Sequence, residues 1–529
     1  MPMRASALLA VALLVSASTA SAKSIADETV ASLAEGMASG KTNSVKAVQA
    51  YLDRIAAMDR KGPRLNSIIT LNPEALADAK ALDVERRVGK VRGPLHGVPV
   101  LIKDNIETLG MPTTAGSLAL ARNDNDRDAP LVAALRAQGA VILGKTNLSE
   151  WANIRSTRSL SGWSAVGGLT RNPYALDRTT CGSSSGSGAA VAAGFAAAAV
   201  GTETDGSIIC PSAMMGLVGL KPTVGLVPRT RVVPISHSQD TPGPMAHDVR
   251  DAAALFSAMI VSDPEDPATR DAAAHGHDYA AALNPARIKG MRIGLIRIGA
   301  QPEWIARFDA ALATLKATGA ILVEIKPTST DGMGDAEGDV LHAELKADLN
   351  AYLATTRADR VPTRTLADVI AFNAKEAARE MPLFGQDTFL KAEATKGLND
   401  PAYIASRRKS LRLAGTEGID RMLADNAVEL IVMPNYGPAW LSDTAWGDQY
   451  EGPGGATGRA AIAGYPHLTV PMGLVRGLPV GLSFIGAAYD EQRLLDVGFA
   501  YEQAAGLVLR PDFRPTIDAG PELDGAKLP

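Results

Sequence analysis

The sequence predicts an α/β protein built around one large β-sheet covered by helices on both faces. Three observations carry that prediction. Short continuous apolar runs read as strands buried on both sides, these runs alternate with helical patterns, and one alanine-rich helix is almost free of charge. A length of 529 residues would suit about three average domains, but large α/β enzymes often run this far around one sheet. Strand patterns near both ends of the chain, with no internal repeat, favour the single sheet. An apolar share of 46% with 21% charged residues excludes a disordered or coiled-coil chain.

In chain order, apolar spacing predicts a helix over Val45–Met58 and a polar helix over Ala75–Arg87. The run Gly93-Pro94-Leu95-His96-Gly97 breaks the pattern, and Val98–Ile102 follows as a doubly buried strand with Lys103 at its end. Pro130–Gln138 reads as a helix with proline at its tolerated first position, and Ala140–Leu143 as a second buried strand. Ser187–Ala197 is the uncharged alanine helix, which must lie inside the molecule. Beyond residue 285 come a strand at Arg292–Ile296, a helix at about Glu303–Ala317 and a strand at Ala320–Ile325. Residues 335–427 are mostly helical and more charged. Strands recur at Leu430–Met433, His467–Val470 and Val480–Ile485, before a last helix through Leu495 and Tyr501.

Residues 1–22 stand apart. Arg4 gives a thin positive region, Leu8–Val15 an apolar run and Ala20-Ser21-Ala22 a small-residue cleavage site, the pattern of a secretory signal. The apolar run is shorter than the roughly 20 residues of a spanning helix. The expectation is an exported protein, periplasmic or secreted, whose mature chain is residues 23–529 and needs no membrane. Cleavage removes Arg4 and no acid, leaving 52 basic residues against 57 acidic ones. A mildly negative chain without a Lys/Arg run argues against nucleic acid as a partner. Cys181 and Cys210 could form a disulfide in such a compartment, yet two small buried thiols is the reading the sequence favours.

Several motifs match only formally. Gly139–Thr146 fits the phosphate-loop spelling, but its four inner residues are Ala-Val-Ile-Leu, a strand rather than a flexible cradle. Gly182-Ser183-Ser184-Ser185-Gly186 fits G-x-S-x-G, but no buried strand runs into it, and His467, the single late histidine, reads as a packed strand residue. Ser406-Arg407-Arg408-Lys409 fits S-x-x-K on a charged, solvated helix face. His275-Gly276-His277 lacks further ligands at metal spacing, so no metal is expected.

A different constellation remains: Lys103, Ser183 and Ser207. A serine hydroxyl needs a base, and a lysine can serve only when neutral, which burial in apolar surroundings promotes. Lys103 follows the buried strand directly, although pairing with Asp104 would hold it charged instead. Ser207 ends the turn Thr204-Asp205-Gly206-Ser207, whose successive backbone N–H groups can converge on one point as an oxyanion hole.

At these residues the chain resembles the amidase signature family. The likeness runs through Gly97-Val-Pro-Val-Leu-Ile-Lys103-Asp-Asn-Ile, Gly144-Lys-Thr-Asn-Leu148, the glycine-serine stretch from Cys181, and Gly201-Thr-Glu-Thr-Asp-Gly-Ser207. It continues at Gly219-Leu-Lys-Pro-Thr223, Asp240-Thr-Pro-Gly-Pro-Met-Ala246 and Gly477-Leu-Pro-Val-Gly481, covering essentially the whole mature chain. It extends into segments typical of the peptide amidase branch, including Ser149-Glu-Trp-Ala-Asn153 and Asp400-Pro-Ala-Tyr-Ile404. The resemblance implies a single α/β/α domain with a mixed sheet, no cofactor, and a Ser-Ser-Lys triad. In it Lys103 is the base, Ser183 a bridging serine after a cis peptide bond and Ser207 the nucleophile, with the oxyanion held by N–H groups of residues 204–207. The implied activity is hydrolysis of amides, C-terminal peptide amides foremost, to acid and ammonia. A broader aliphatic or aryl amidase or esterase of the same family is the alternative. A non-catalytic secreted binding protein and a tRNA-dependent transamidation component rank behind it. The expected partner is a small-molecule or peptide amide, and the oligomeric state is left open.

Overall fold

A computed structural model of the chain describes residues 24–299, 301–450 and 456–518. The signal-like segment 1–22 lies outside them. In chain order the strands are β1 (Ile68–Leu71), β2 (Pro99–Lys103), β3 (Val141–Thr146), β4 (Trp163–Ser164), β5 (Gly168–Leu169), β6 (Ala198–Glu203) and β7 (Val218–Lys221). They continue with β8 (Thr241–Ala246), β9 (Arg292–Leu295), β10 (Ile321–Glu324), β11 (Leu430–Pro434), β12 (His467–Val475) and β13 (Leu478–Ile485). β4 and β5 form a small hairpin; the other eleven form one sheet in the order β1-β3-β2-β6-β8-β7-β12-β13-β11-β9-β10. The trios β3-β2-β6 and β11-β9-β10 run parallel, and the remaining pairings are antiparallel. Helices cover both faces, as the alternating pattern requires.

The strand that matters most forms as its composition dictates. Every residue of β2 is buried, because parallel neighbours β3 and β6 cover its edges and helices its faces. Its register sets Ile102 opposite Lys145 on one side and Val200 on the other. Parallel strands end at the same edge of a sheet, so Lys103 emerges beside Thr202 and Glu203, the last residues of β6. That carboxyl edge is where open α/β sheets bind ligands.

The alanine helix spans Ser185–Ala192, and all eight residues are buried. It ends five residues earlier than the sequence suggests, since Gly194 adopts φ +69° and Phe195–Ala197 lead on, still buried, into β6. Its small residues permit very close approach. A Cβ at Gly186 would stand 2.4 Å from the Ser67 carbonyl oxygen and 2.5 Å from the Asn147 nitrogen.

Four strands of the large sheet escaped the sequence pattern: β1, β6, β7 and β8. β8 reads Thr-Pro-Gly-Pro-Met-Ala, and proline normally argues against a central strand because it cannot donate to the ladder. Here β8 lies between β6 and β7 all the same. The helical region occupies Met333–Asn426 and builds a second apolar core from Leu345, Leu349, Tyr352, Leu366, Val369 and Phe389, among others. That core includes Trp151, which ties the region to the neighbourhood of the sheet's carboxyl edge.

Candidate active site

Lys103 is fully buried, and its amine sits in a cage of uncharged oxygens. Nζ lies 2.8 Å from Ser183 Oγ, 3.0 Å from Ser184 Oγ, 2.9 Å from Thr202 Oγ1 and 3.1 Å from the Thr202 carbonyl oxygen. Burial draws its pKa down to about 7, against the opposing pull of the Asp240 and Glu203 carboxylates. The adjacent Asp104 does not pair with it. Alternation along the extended chain sends the Asp104 carboxylate elsewhere, to Lys145 Nζ at 3.2 Å and to the Thr114 N–H and hydroxyl. The amine form of Lys103 is therefore accessible near neutral pH.

The Gly182–Ser183 peptide bond is cis, as the resemblance implies, and Ser183 is fully buried. Its carbonyl oxygen accepts from the Ser149 N–H at 3.0 Å. Ser184, the central serine of the formal G-x-S-x-G, is held in the interior, donating to the Thr202 carbonyl oxygen at 3.1 Å and accepting from the Thr202 N–H.

Ser207 is nearly buried, 7% exposed. Its segment and that of Ser183 meet through the Ser184 N–H, which donates to the Ser207 carbonyl oxygen at 3.1 Å; no hydrogen bond joins the two hydroxyls among the described residues. Gly206 takes φ +79°, the conformation that turns the chain after β6. Among the described residues, no protein acceptor takes a hydrogen bond from the N–H of Asp205, Gly206 or Ser207. Thr204 is fixed by its side chain, which donates to Asp240 Oδ1 at 2.5 Å. Of the predicted site residues, Lys103 and Ser183 are in direct contact, and Thr204–Ser207 follow within one turn of the same sheet edge.

Cys181 and Cys210 form a disulfide, which corrects the expectation of two separate thiols. Their Cα atoms lie 5.9 Å apart because the residues preceding Ser183 and those following Ser207 converge at the end of the alanine helix. Chain spacing of 29 residues gives no sign of that meeting.

Sequence reasoning missed two supports. Glu203 Oε2 accepts from the N–H groups of Ile208 at 2.7 Å and Ile209 at 2.9 Å, which pins the turn containing Ser207. Burial raises the Glu203 pKa, while Lys221 opposes the rise. Asp240, raised by burial to about 6, accepts from Thr204 and from the N–H groups of Ile235 and Ser236. An acid three residues past the apolar run that ends at Val200 was the available signal for Glu203; nothing local marks Asp240.

The entrance is walled by aromatic residues from the segment after β11. Tyr436 Oη lies 3.2 Å from where a Cβ would stand at Gly206, Tyr450 packs edge-on against Tyr436 at 5.3 Å, and Trp440 lies 5.5 Å from Tyr450. Asp205 keeps exposed surface here although the surrounding protein crowds its carboxylate and raises its pKa. On the other side, Trp151, Ala152 and Asn153 form a left-handed turn with φ of 50°, 53° and 78°.

The formally matched motifs take the places the sequence suggested. Val141–Thr146 is strand β3, His467 is buried in β12 with a pKa lowered to about 3, and Ser406, on the helix Pro401–Ala414, donates to Asp339 on the helix Met333–Thr355. His275 stacks on Tyr489 and His277 on Tyr279. One cluster among the described residues has the spacing of metal ligands: His237, Glu344 and Asp348. Glu344 already accepts from the hydroxyls of Ser236, Ser238 and Tyr403, so it is a hydrogen-bonding hub.

Comparison with known proteins agrees with this geometry. The family profile described as Amidase matches residues 46–495. The crystal structure of native peptide amidase from Stenotrophomonas maltophilia superposes with a TM-score of 0.85 at 49% identity, covering 93% of this chain and 99% of that one. A probable amidase of Arabidopsis thaliana is 37% identical over 505 residues, spanning 93% of this chain and 92% of its own. A glutamyl-tRNA(Gln) amidotransferase component of Roseiflexus castenholzii is 36% identical over 90% of this chain and 95% of its own. A sheet whose carboxyl edge carries a buried lysine against serine, in a chain matched over most of its length, belongs to the amidase signature family and hydrolyses amide carbon–nitrogen bonds.

Proposed function

We propose that this chain is an exported peptide amidase, which converts C-terminal peptide amides to the free acid and ammonia through Ser207, Ser183 and Lys103. One observation carries the catalytic reading: a fully buried amine, with a pKa near 7, placed 2.8 Å from Ser183 Oγ and surrounded by neutral oxygens. As a free base, Lys103 accepts the Ser183 proton, and Ser183 in turn takes the proton of Ser207 as that oxygen attacks the amide carbonyl. The N–H groups of residues 204–207 hold the oxyanion. The proton gathered on Lys103 returns through Ser183 to the leaving nitrogen, which departs as ammonia. Water then enters along the same path, gives its proton to the relay, opens the acyl-enzyme and restores the Ser207 hydroxyl.

The peptide-amide preference is supported by the peptide amidase likeness and by the walls of the entrance. Tyr436, Tyr450 and Trp440 offer apolar faces to a residue next to the scissile amide, while Asp205 is open to solvent beside them. Export rests on the signal pattern of residues 1–22.

Ammonia release from a C-terminal peptide amide, a simple aliphatic amide and an aryl amide tests the substrate class. The peptide amide should lead clearly, and equal rates on all three would remove the peptide label while leaving the amidase. Turnover of glutamine above all three would favour the chemistry of the amidotransferases. Ser207→Ala should abolish turnover, and an undiminished rate would remove Ser207 as nucleophile. Export predicts a mature N-terminus at Lys23.

A further inference from the structure

A small cavity adjoins the lysine cage, lined by Asn105, Thr202, Thr204, Arg229 and Asp240 together with apolar neighbours. It offers about 10 Å³ to the centre of a water-sized sphere, room for one water. Thr202 touches both sides. Its Oγ1 accepts from Lys103 Nζ at 2.9 Å and from Asn105 Nδ2 at 3.0 Å. Two donors on one hydroxyl oxygen leave its own proton needing an acceptor. Asn105 is 3% exposed, and its Oδ1 is buried with no hydrogen-bond partner among the described residues. An unmet donor and an unmet acceptor thus line the same water-sized space. Turning the Asn105 amide over would give the Thr202 hydroxyl an acceptor and leave an orphaned NH₂ facing the same space, which still calls for a partner.

Asp240 closes the other side. It lines this cavity and also an outer groove shared with Arg229 and Val232. The charged groups of that groove are matched in pairs: Arg229 with Asp266, Arg127 with Glu107, Arg231 with Glu265 and His237 with Asp348. Among the described residues Asp240 has no such close cation, only the donors Thr204, Ile235 N–H and Ser236 N–H.

We propose that Asn105, Thr202 and Asp240 bind one water beside the lysine cage and that this water links the Lys103 amine to Asp240, making Asp240 a positioning residue that governs the lysine's protonation. The water accepts the Thr202 hydroxyl proton and donates to Asn105 Oδ1 and to the Asp240 carboxylate. A proton leaving Lys103 passes to Thr202 Oγ1, the Thr202 proton passes to the water, and a water proton passes to Asp240 at the outer groove. The catalytic amine then communicates with solvent without using the face that substrate covers. The lowered pKa of Lys103 and the raised pKa of Asp240 bring both into the near-neutral range such an exchange needs. Glu203 is the other carboxylate acting on Lys103, and Arg229 is the cation acting on Asp240.

The inference rests on Lys103 as the base, and its test separates the two. A high-resolution crystal structure of the unmodified protein should show one density peak within hydrogen-bond reach of both the Asn105 amide and Thr202 Oγ1. A cavity without that peak overturns the water site, whatever the enzyme turns over. In kinetics, Asp240→Asn removes a negative charge that favours lysine protonation. The acid limb of kcat/KM should then move down by about one pH unit, whatever the change in its plateau. An unmoved limb overturns the role of Asp240. Thr202→Val should lower kcat by at least about tenfold and Thr202→Ser should recover most of it; equal rates for the two would break the link. If Lys103→Met retained activity, the base assignment would fail, and the water site would still stand or fall on the density.

Discussion

Lys103 and Lys145 occupy neighbouring parallel strands, both fully buried, yet they are built for opposite purposes. Lys145 meets the Asp104 carboxylate at 3.2 Å and donates to Thr113 Oγ1 at 2.8 Å, so its charge is balanced inside the fold. Lys103, one residue from that same aspartate, meets only hydroxyls and a carbonyl among the described residues. Burial lowers both pKa values, but for Lys145 the principal opposing influence is its salt-bridge partner Asp104, in direct contact. For Lys103 it is the carboxylates of Asp240 and Glu203, neither of which touches the amine. Burial alone does not make a lysine a base; burial without a counter-ion does.

Substitution should separate the two most sharply. Lys103→Met should cost on the order of 10³-fold or more in kcat, read by ammonia release, with the melting temperature little changed. Lys145→Met should do the reverse. It strands the Asp104 charge in the interior and should destabilise the fold by about 3–5 kcal/mol in denaturant titration, while the activity per folded molecule stays within about tenfold of the parent. Adding Asp104→Asn to Lys145→Met should recover part of that stability, since the unpaired charge is gone. No recovery would mean that the pair holds the fold by some other contact.

The disulfide comes next in size. It closes a loop of 29 residues that contains both Ser183 and Ser207. Replacing Cys181 and Cys210 by serine should cost about 3 kcal/mol of stability and lower kcat as the serine segments loosen. The smallest effect is the most diagnostic. The proposed mechanism requires the unprotonated amine, so kcat/KM should fall about tenfold per pH unit below about 7 and level off above it. A limb near the ordinary lysine value would erase the distinction between the two lysines.

Much of this was legible in the residues. The run Val98–Ile102 announced a doubly buried strand, and the helices at Val45–Met58 and Ala75–Arg87 fall where their periodicity sets them. The spelling of Gly139–Thr146 was rightly discounted on local composition, because strand β3 has no backbone free to wrap a phosphate. Strand β8 was not legible, since Thr-Pro-Gly-Pro argues locally against a central strand. It pairs because β6 and β7 supply both edges and leave it buried. The disulfide and the Asp104–Lys145 pair were equally hidden.

By itself, then, the sequence determined seven of the eleven strands of the sheet, the position of Lys103 at a buried strand end and the serine-bearing turns, because local periodicity and turn chemistry act over a few residues. Only the tertiary structure decided that Asp104 meets Lys145 and not Lys103, that Cys181 reaches Cys210, and that Glu203 and Asp240 brace the turn carrying Ser207. Those outcomes depend on strand register and on which ends of the parallel strands coincide. Both are set by contacts between segments far apart in the chain, where no local pattern reaches.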